Sequence, residues 1–238
     1  MNLVRTLSLP GAWRAARQWK PFSLSAFLLA KAMQRQGMQV RTVIDAGANA
    51  GQFSRAALEV FPNASLLAFE PQAEVAAQWR THLDGEPRAE LIEAALGATD
   101  GTLSFQTNAY SLSSSALPLH DNHLRAYPDA VAVGTVDVPM HRLDTILSER
   151  TLQAPILFKL DLQGYELEAL RGAEATLTSV QYVLLESSFT PMYQGEPLFA
   201  EVYAFMQANG FRLVRPMGWM LGRADEVLQA DVLFEREG

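Results

Sequence analysis

From residue 40 onward, short apolar runs alternate with stretches in which apolar residues recur every three or four positions. The runs are too short for helices and the intervening period matches one buried helical face, so the pattern predicts βαβ units around a mostly parallel sheet. The strand candidates are residues 42–45, 65–70, 89–93, 155–161 and 182–186, with helices over about 51–60, 72–83, 165–178 and 198–209. Gly47, Pro62, Pro71, Gly164, Gly172 and Gly210 stand at the boundaries. Residues 22–36 predict a further helix, whose apolar stripe covers the sheet or a partner subunit.

The end of the chain breaks this rhythm. Residues 211–214 and 231–235 read as strands joined by a connector holding Gly218, Trp219 and Met220, too short for the usual crossover helix. They are expected to pair antiparallel. An insertion separates the third and fourth main strands: residues 102–105 and 135–139 alternate as strands around a loop, 108–134, that carries Ser111, Ser113, Ser114 and Ser115. A loop of this length in a compact domain usually serves as a lid or stays disordered.

Composition narrows the picture. The chain has 238 residues, 49% of them hydrophobic, and no cysteine. It therefore forms no disulfide, thiolate metal site or cysteine nucleophile, which makes the cytoplasm the expected compartment. No apolar run reaches the roughly 20 residues of a membrane-spanning helix. The net charge of −7 is unevenly spread: residues 1–44 contain no acid but carry Arg5, Arg14, Arg17, Lys20, Lys31, Arg35 and Arg41, leaving 12 basic against 26 acidic groups in the rest. Such an acidic body argues against nucleic acid as a partner, because affinity for nucleic acid comes largely from neutralising phosphates. The basic arm, with Trp13, Trp19, Phe22 and Phe27 among its cations, also suits peripheral contact with an anionic membrane or self-association into a homo-oligomer. A cleaved leader is disfavoured, since Lys31 interrupts the small-residue end of the apolar segment 22–30.

The candidate chemistry begins at residues 43–54: a buried strand, Asp45 at its end, a small-residue turn holding Gly47, Asn49 and Gly51, then a helix. That is a cradle for a nucleotide-type ligand. The spacing departs from the dinucleotide fingerprint, and a pyrophosphate would be repelled by Asp45; a cationic ligand such as S-adenosylmethionine would be attracted. Glu70, ending the next strand, is placed to accept both hydroxyls of a ribose. Asp161 ends the fourth strand, and the carboxyl edge of an open sheet should bring Asp45, Glu70 and Asp161 to one site. Lys159, on the same side of its strand as Asp161, is an expected ion-pair partner for it, and a structural pair of Lys159 with Glu166 is an alternative.

At this point the chain resembles the FkbM-type methyltransferases. The likeness lies in LysLeuAspLeuGlnGlyTyrGlu from residue 159, AlaLeuArgGlyAla from 169, IleAspAlaGlyAlaAsnAlaGly from 44, PheGluPro from 69, the serines at 113–115 and the stretch 138–147. Where the family more often has glutamate, this chain has Gln163, which removes a charge beside Asp161. The resemblance covers about residues 40–215 and implies a Rossmann-like seven-stranded sheet with helices on both faces and an antiparallel last strand; the methyltransferase domain is expected over residues 41–238, behind a basic helical extension, 1–40. It implies O-methylation of a hydroxyl on a sugar, polyketide or other small metabolite. It also implies that Asp45, Gly47, Asn49 and Gly51 hold the methionine part of S-adenosylmethionine, Glu70 the ribose, and Glu93 and Ala94 the adenine edge, with Asp161 in the reaction zone.

A hydroxyl is a weak nucleophile at neutral pH, so a proton acceptor is needed. Asp161 is the first candidate and His141 the second. His120, Asp121 and His123 do not make a convincing metal site, because histidines three apart outside a helix seldom converge, and Ser113, Ser114 and Ser115 lack the GxSxG elbow of a nucleophile. Phe189, Met192, Tyr193 and Trp219 are candidates to line an acceptor pocket. Two other classes stay open: an N-methyltransferase acting on protein or nucleic acid, and a cofactor-binding scaffold without turnover.

Overall fold

A computed structural model describes residues 23–108, 114–130 and 132–238. The chain begins with α1 (Leu24–Arg35), capped by the Ser23 hydroxyl, which accepts from the Ala26 amide. There follow β1 (Thr42–Ala46), α2 (Gln52–Val60), β2 (Ser65–Phe69), α3 (Ala73–His82) and β3 (Ala89–Ile92). The insertion comprises β4 (Ala95–Leu96), β5 (Gly101–Asn108), α4 (Asp121–Ala126) and β6 (Ala132–His141). Then come α5 (Leu143–Leu147), β7 (Ile156–Leu160), α6 (Glu166–Arg171), α7 (Glu174–Leu177), β8 (Tyr182–Ser188), α8 (Phe199–Ala208), β9 (Phe211–Leu221) and β10 (Val227–Arg236). The main sheet runs β3-β2-β1-β7-β8-β10-β9, and β10 is antiparallel to both of its neighbours. The other pairings are parallel.

Every residue of β1 and β7 is buried, as expected of central parallel strands covered on both faces. The pleat sends Val43, Leu66, Leu157 and Leu184 to one face, where α1 and α2 bring Phe27, Ala30, Met33, Phe53 and Ala56. It sends Ile44, Leu67, Phe158 and Val183 to the other, against Leu170 of α6, Leu177 of α7 and Val202 and Met206 of α8. The core is therefore two layers divided by the sheet, and α1 is packed into one of them. A smaller sheet, β4-β6-β5, folds over the carboxyl edge around Phe105, Val138 and Met140.

Two elements differ from the expected pattern. The helix expected over 165–178 is two short helices, because the chain bends at Gly172 and Ala173 where a side chain at Gly172 would meet the Gly97 carbonyl oxygen 2.0 Å away. Gly218, Trp219 and Met220 do not form a connector but continue β9, which pairs with β10 along its length. Among the described residues no helix is long and apolar enough to cross a membrane. The basic and aromatic residues of the arm up to Phe22, together with Ser111 and Ser113, lie outside the described residues.

Candidate active site

The carboxyl ends of β1, β2 and β7 meet around the turn after β1. Gly47 is there because its φ of +74° suits glycine and because any Cβ would lie 1.9 Å from the Asp161 carbonyl oxygen. The turn thus lies directly against the loop after β7. Gly51 also has a left-handed φ, +94°, but its missing side chain makes room for Leu83 and Trp79 and not for a ligand. Its place in the turn is structural, which corrects the direct binding role expected of it.

A first cleft opens beside this turn, lined on one side by Gly47, Asn49, Glu70 and Gln72 and on the other by Leu96, Leu103, Phe105 and Tyr165. Glu70 is almost wholly buried. Its Oε2 accepts from the Asn49 amide at 3.1 Å and its Oε1 from the Gln72 amide at 2.9 Å. Burial pushes its pKa up to about 7, against the lowering effect of those amides. Each carboxylate oxygen retains acceptor capacity toward the cleft. The donor set suits a vicinal diol, with apolar side chains beside it, and by their chemistry these residues fit the nucleoside part of S-adenosylmethionine, although the cleft as it stands, about 60 Å³, is narrower than a nucleoside. Ala94 lines the cleft, whereas Glu93 lies outside the lining, partly exposed and paired with Arg80. The insertion sheet supplies Leu103 and Phe105, a contribution for which the alternation in its strands gave no signal.

Asp45 is fully buried and turned away from this cleft. Its Oδ2 accepts from the Ser54 hydroxyl at 2.6 Å, and Trp79 Nε1 donates to that hydroxyl in turn at 3.0 Å. Its Oδ1 is 3.1 Å from Lys159 Nζ, directly across the β1–β7 register. The expectation that Asp45 would face a cationic ligand is corrected: its partner is the protein's own ammonium. Lys159 also donates to the Gly47 carbonyl at 3.0 Å and lies 3.8 Å from Asp161 Oδ2. Burial alone would lower its pKa, but Asp45 and Asp161 outweigh that and hold it above the usual lysine value. Lys159 does not pair with Glu166, whose buried carboxylate accepts from the amides of Leu162 at 2.6 Å and Gly164 at 3.1 Å and fixes the loop after β7. Burial pushes the Glu166 pKa up to about 8.

Beyond this loop lies a second, larger cleft of about 970 Å³, within the range of small-molecule sites. Its polar floor includes Asp161, Glu186, Gln229 and Asp231; Phe53, Met217 and Met220 add apolar surface, and α1 contributes Ser25, Ala26, Leu28, Leu29, Ala32 and Arg35. Burial raises the pKa of Glu186, with Asp161 adding to the effect, and pushes that of Asp231 up to about 6. Gly47, Asn49, Asp161 and Gln163 line both clefts and form the junction between them.

The other expected residues fall elsewhere. His141 stands at the end of β6, partly exposed, 3.2 Å from Asp100 and in the lining of neither cleft. Met192 and Tyr193 are fully buried, and Phe189 and Trp219 form an exposed aromatic cluster with Phe199, so none of the four lines the second cleft. His120 caps α4 by accepting from the Asn122 amide, while His123 is buried between Tyr127 and Tyr193. Sequence reasoning did not assign Glu186, Gln229 and Asp231 to a site: each sits in a strand and has no local motif.

Comparison with known proteins bears on this arrangement. A family model described as the methyltransferase FkbM domain matches residues 45–213. The 2-O-methyltransferase NoeI of Sinorhizobium fredii is 30% identical over 161 residues, covering 65% of this chain and 66% of its own, so the match spans just under two thirds of that relative. Methyltransferase sdnD of Sordaria araneosa is 24% identical over 197 residues, covering 73% and 74%. Among solved structures, magnesium protoporphyrin IX methyltransferase from Synechocystis PCC 6803, with bound S-adenosylmethionine, superposes with a TM-score of 0.50 at 12% identity, over 90% of this chain and 78% of the other. That last likeness is one of fold.

Proposed function

The chain belongs to the FkbM methyltransferase family, and on that premise we propose that it transfers a methyl group from S-adenosylmethionine to a hydroxyl of a small metabolite or glycan. The observation that carries this reading is the junction: Asp161 lines both the cleft that suits a nucleoside and the cleft that can hold an acceptor. Oxygen as the acceptor atom is supported by the 2-O-methyltransferase NoeI among the relatives.

Glu70, in its ionised form, accepts the ribose hydroxyls, and Ala94, Leu96, Leu103 and Phe105 enclose the adenine. Asn49 and the Gly47 turn hold the methionine end at the junction. When bound, S-adenosylmethionine supplies a methyl carbon made electrophilic by its sulfonium. Asp161 would accept the proton of the acceptor hydroxyl, while the bound cofactor would give up its methyl group by breaking the sulfur–carbon bond and leave as S-adenosylhomocysteine. Lys159 and Gln163, one on each carboxylate oxygen, hold Asp161 where it meets the acceptor.

Calorimetry with S-adenosylmethionine, paired with a radiolabel-transfer screen against cell extract, tests the proposal. Expected are cofactor binding and a labelled small-molecule product that survives base treatment as an ether. Label on protein or nucleic acid, or binding without any product, overturns the assignment.

A further inference from the structure

Gln163 holds an unusual position. It is a non-glycine residue in the left-handed region, with φ of +56°, between Asp161 and Gly164. Such a conformation is strained for a residue with a side chain and persists where surrounding contacts enforce it. Those contacts are present: its backbone carbonyl accepts from the Ser115 hydroxyl at 2.6 Å, and its side chain is held at three points. Nε2 donates to Asp161 Oδ1 at 2.6 Å and to Glu186 Oε2 at 3.1 Å, and Oε1 accepts from the Tyr193 hydroxyl.

The orientation of this amide follows from chemistry. Reversed, it would turn a carbonyl oxygen toward two carboxylates. Tyr193 completes the observed sense: its hydroxyl, fully enclosed and kept protonated by burial and by the surrounding carboxyl groups, gives its one hydrogen to Gln163 Oε1. With that hydrogen on Oε1, both amide hydrogens are committed to Asp161 and Glu186. Lys159 faces the other Asp161 oxygen, so the carboxylate is held from both sides.

Resting on the reading of Asp161 as proton acceptor, we propose that Tyr193 and Gln163 form an orientation lock, positioning residues that act through Asp161 and set its aim at the junction of the two clefts. Tyr193 sits in the loop after β8, remote in sequence from the motif around Asp161, and lines neither cleft, so its influence on turnover passes through Gln163.

The test uses Tyr193→Phe, Gln163→Leu and the double variant in the full chain, with Asp161→Asn as reference. The first readout needs no acceptor: the side-chain amide protons of Gln163, identified by their loss in Gln163→Leu, give two shifted, slowly exchanging NMR signals in the parent chain, and in Tyr193→Phe they move toward the positions of a free glutamine and exchange faster with water. The second is turnover on the extract fraction that accepts label. Tyr193→Phe lowers kcat roughly tenfold with an unchanged Kd for S-adenosylmethionine, Gln163→Leu lowers kcat at least as much, and the double variant is no worse than Gln163→Leu, because one line of action is cut twice. Unaltered amide signals in Tyr193→Phe, or additive losses in the double variant, overturn the lock. If Asp161→Asn itself turns over normally, the proton-acceptor reading fails instead, and the amide signals still report on the lock.

Discussion

The two clefts differ in how the chain builds them. The first takes Gly47, Asn49, Glu70 and Gln72 from two short stretches at the ends of β1 and β2, within 26 positions, and completes its lining from the insertion and the loop after β7. The second collects its lining from α1, α4, β7, β8, β9 and β10, elements spread over almost the whole described chain. The first cleft therefore carries a local motif, and the second exists only once the sheet has assembled. This is the division expected if one cleft takes a ligand common to a family and the other takes a ligand particular to a member.

The sharpest way to break that contrast is at the junction. Asp161→Asn is expected to lower turnover by roughly two to four orders of magnitude while leaving S-adenosylmethionine affinity within about threefold, read by labelled transfer and calorimetry. A matching loss of affinity would mean that Asp161 serves the first cleft alone. Gly47→Ala should damage both clefts together, because the added carbon collides with the Asp161 carbonyl in a backbone conformation that disfavours alanine. A destabilisation of about 3 kcal/mol and a melting temperature lower by roughly 10 °C are expected by calorimetry.

Titration separates the clefts with a smaller effect. Burial pushes the Glu70 pKa up to about 7 in the folded chain, against the 4.5 of a glutamate in the unfolded chain. Its contribution to stability is therefore fully present below pH 4.5 and is lost as pH rises to 7. Ribose binding to the ionised carboxylate has the opposite sign: affinity for S-adenosylmethionine should drop up to tenfold for each unit below pH 7 and level off above it. Calorimetry across pH 5.5–8.5 reads this, and Glu70→Gln should flatten the curve. Least affected should be His141→Ala and Glu93→Gln, which lie outside both linings and should keep turnover within about twofold.

The legibility of the sequence follows the same division. The β1, β2 and β7 edge could be read because strand end, acid and turn are consecutive, and the final antiparallel pair because its connector is short. Asp45 was misjudged because a carboxylate at a strand end looks the same whether it faces a ligand or, as here, a lysine across the register of the neighbouring strand. Gly51 was misjudged for a similar reason: a turn glycine does not announce whether its missing side chain makes room for a cofactor or for Leu83. Glu186 and Asp231 were passed over because a single acid in an apolar strand resembles an ordinary edge position until β8 and β10 pair and bring the two opposite one another.

Helix α1 gives the second cleft six residues and the first cleft none, while Phe27, Ala30 and Met33 of the same helix are packed into the core beside α2. On the proposed reading, this makes acceptor choice separable from methyl donation in space yet ties it to folding: a drift toward a new acceptor can be written into α1 only at the positions its core face leaves free.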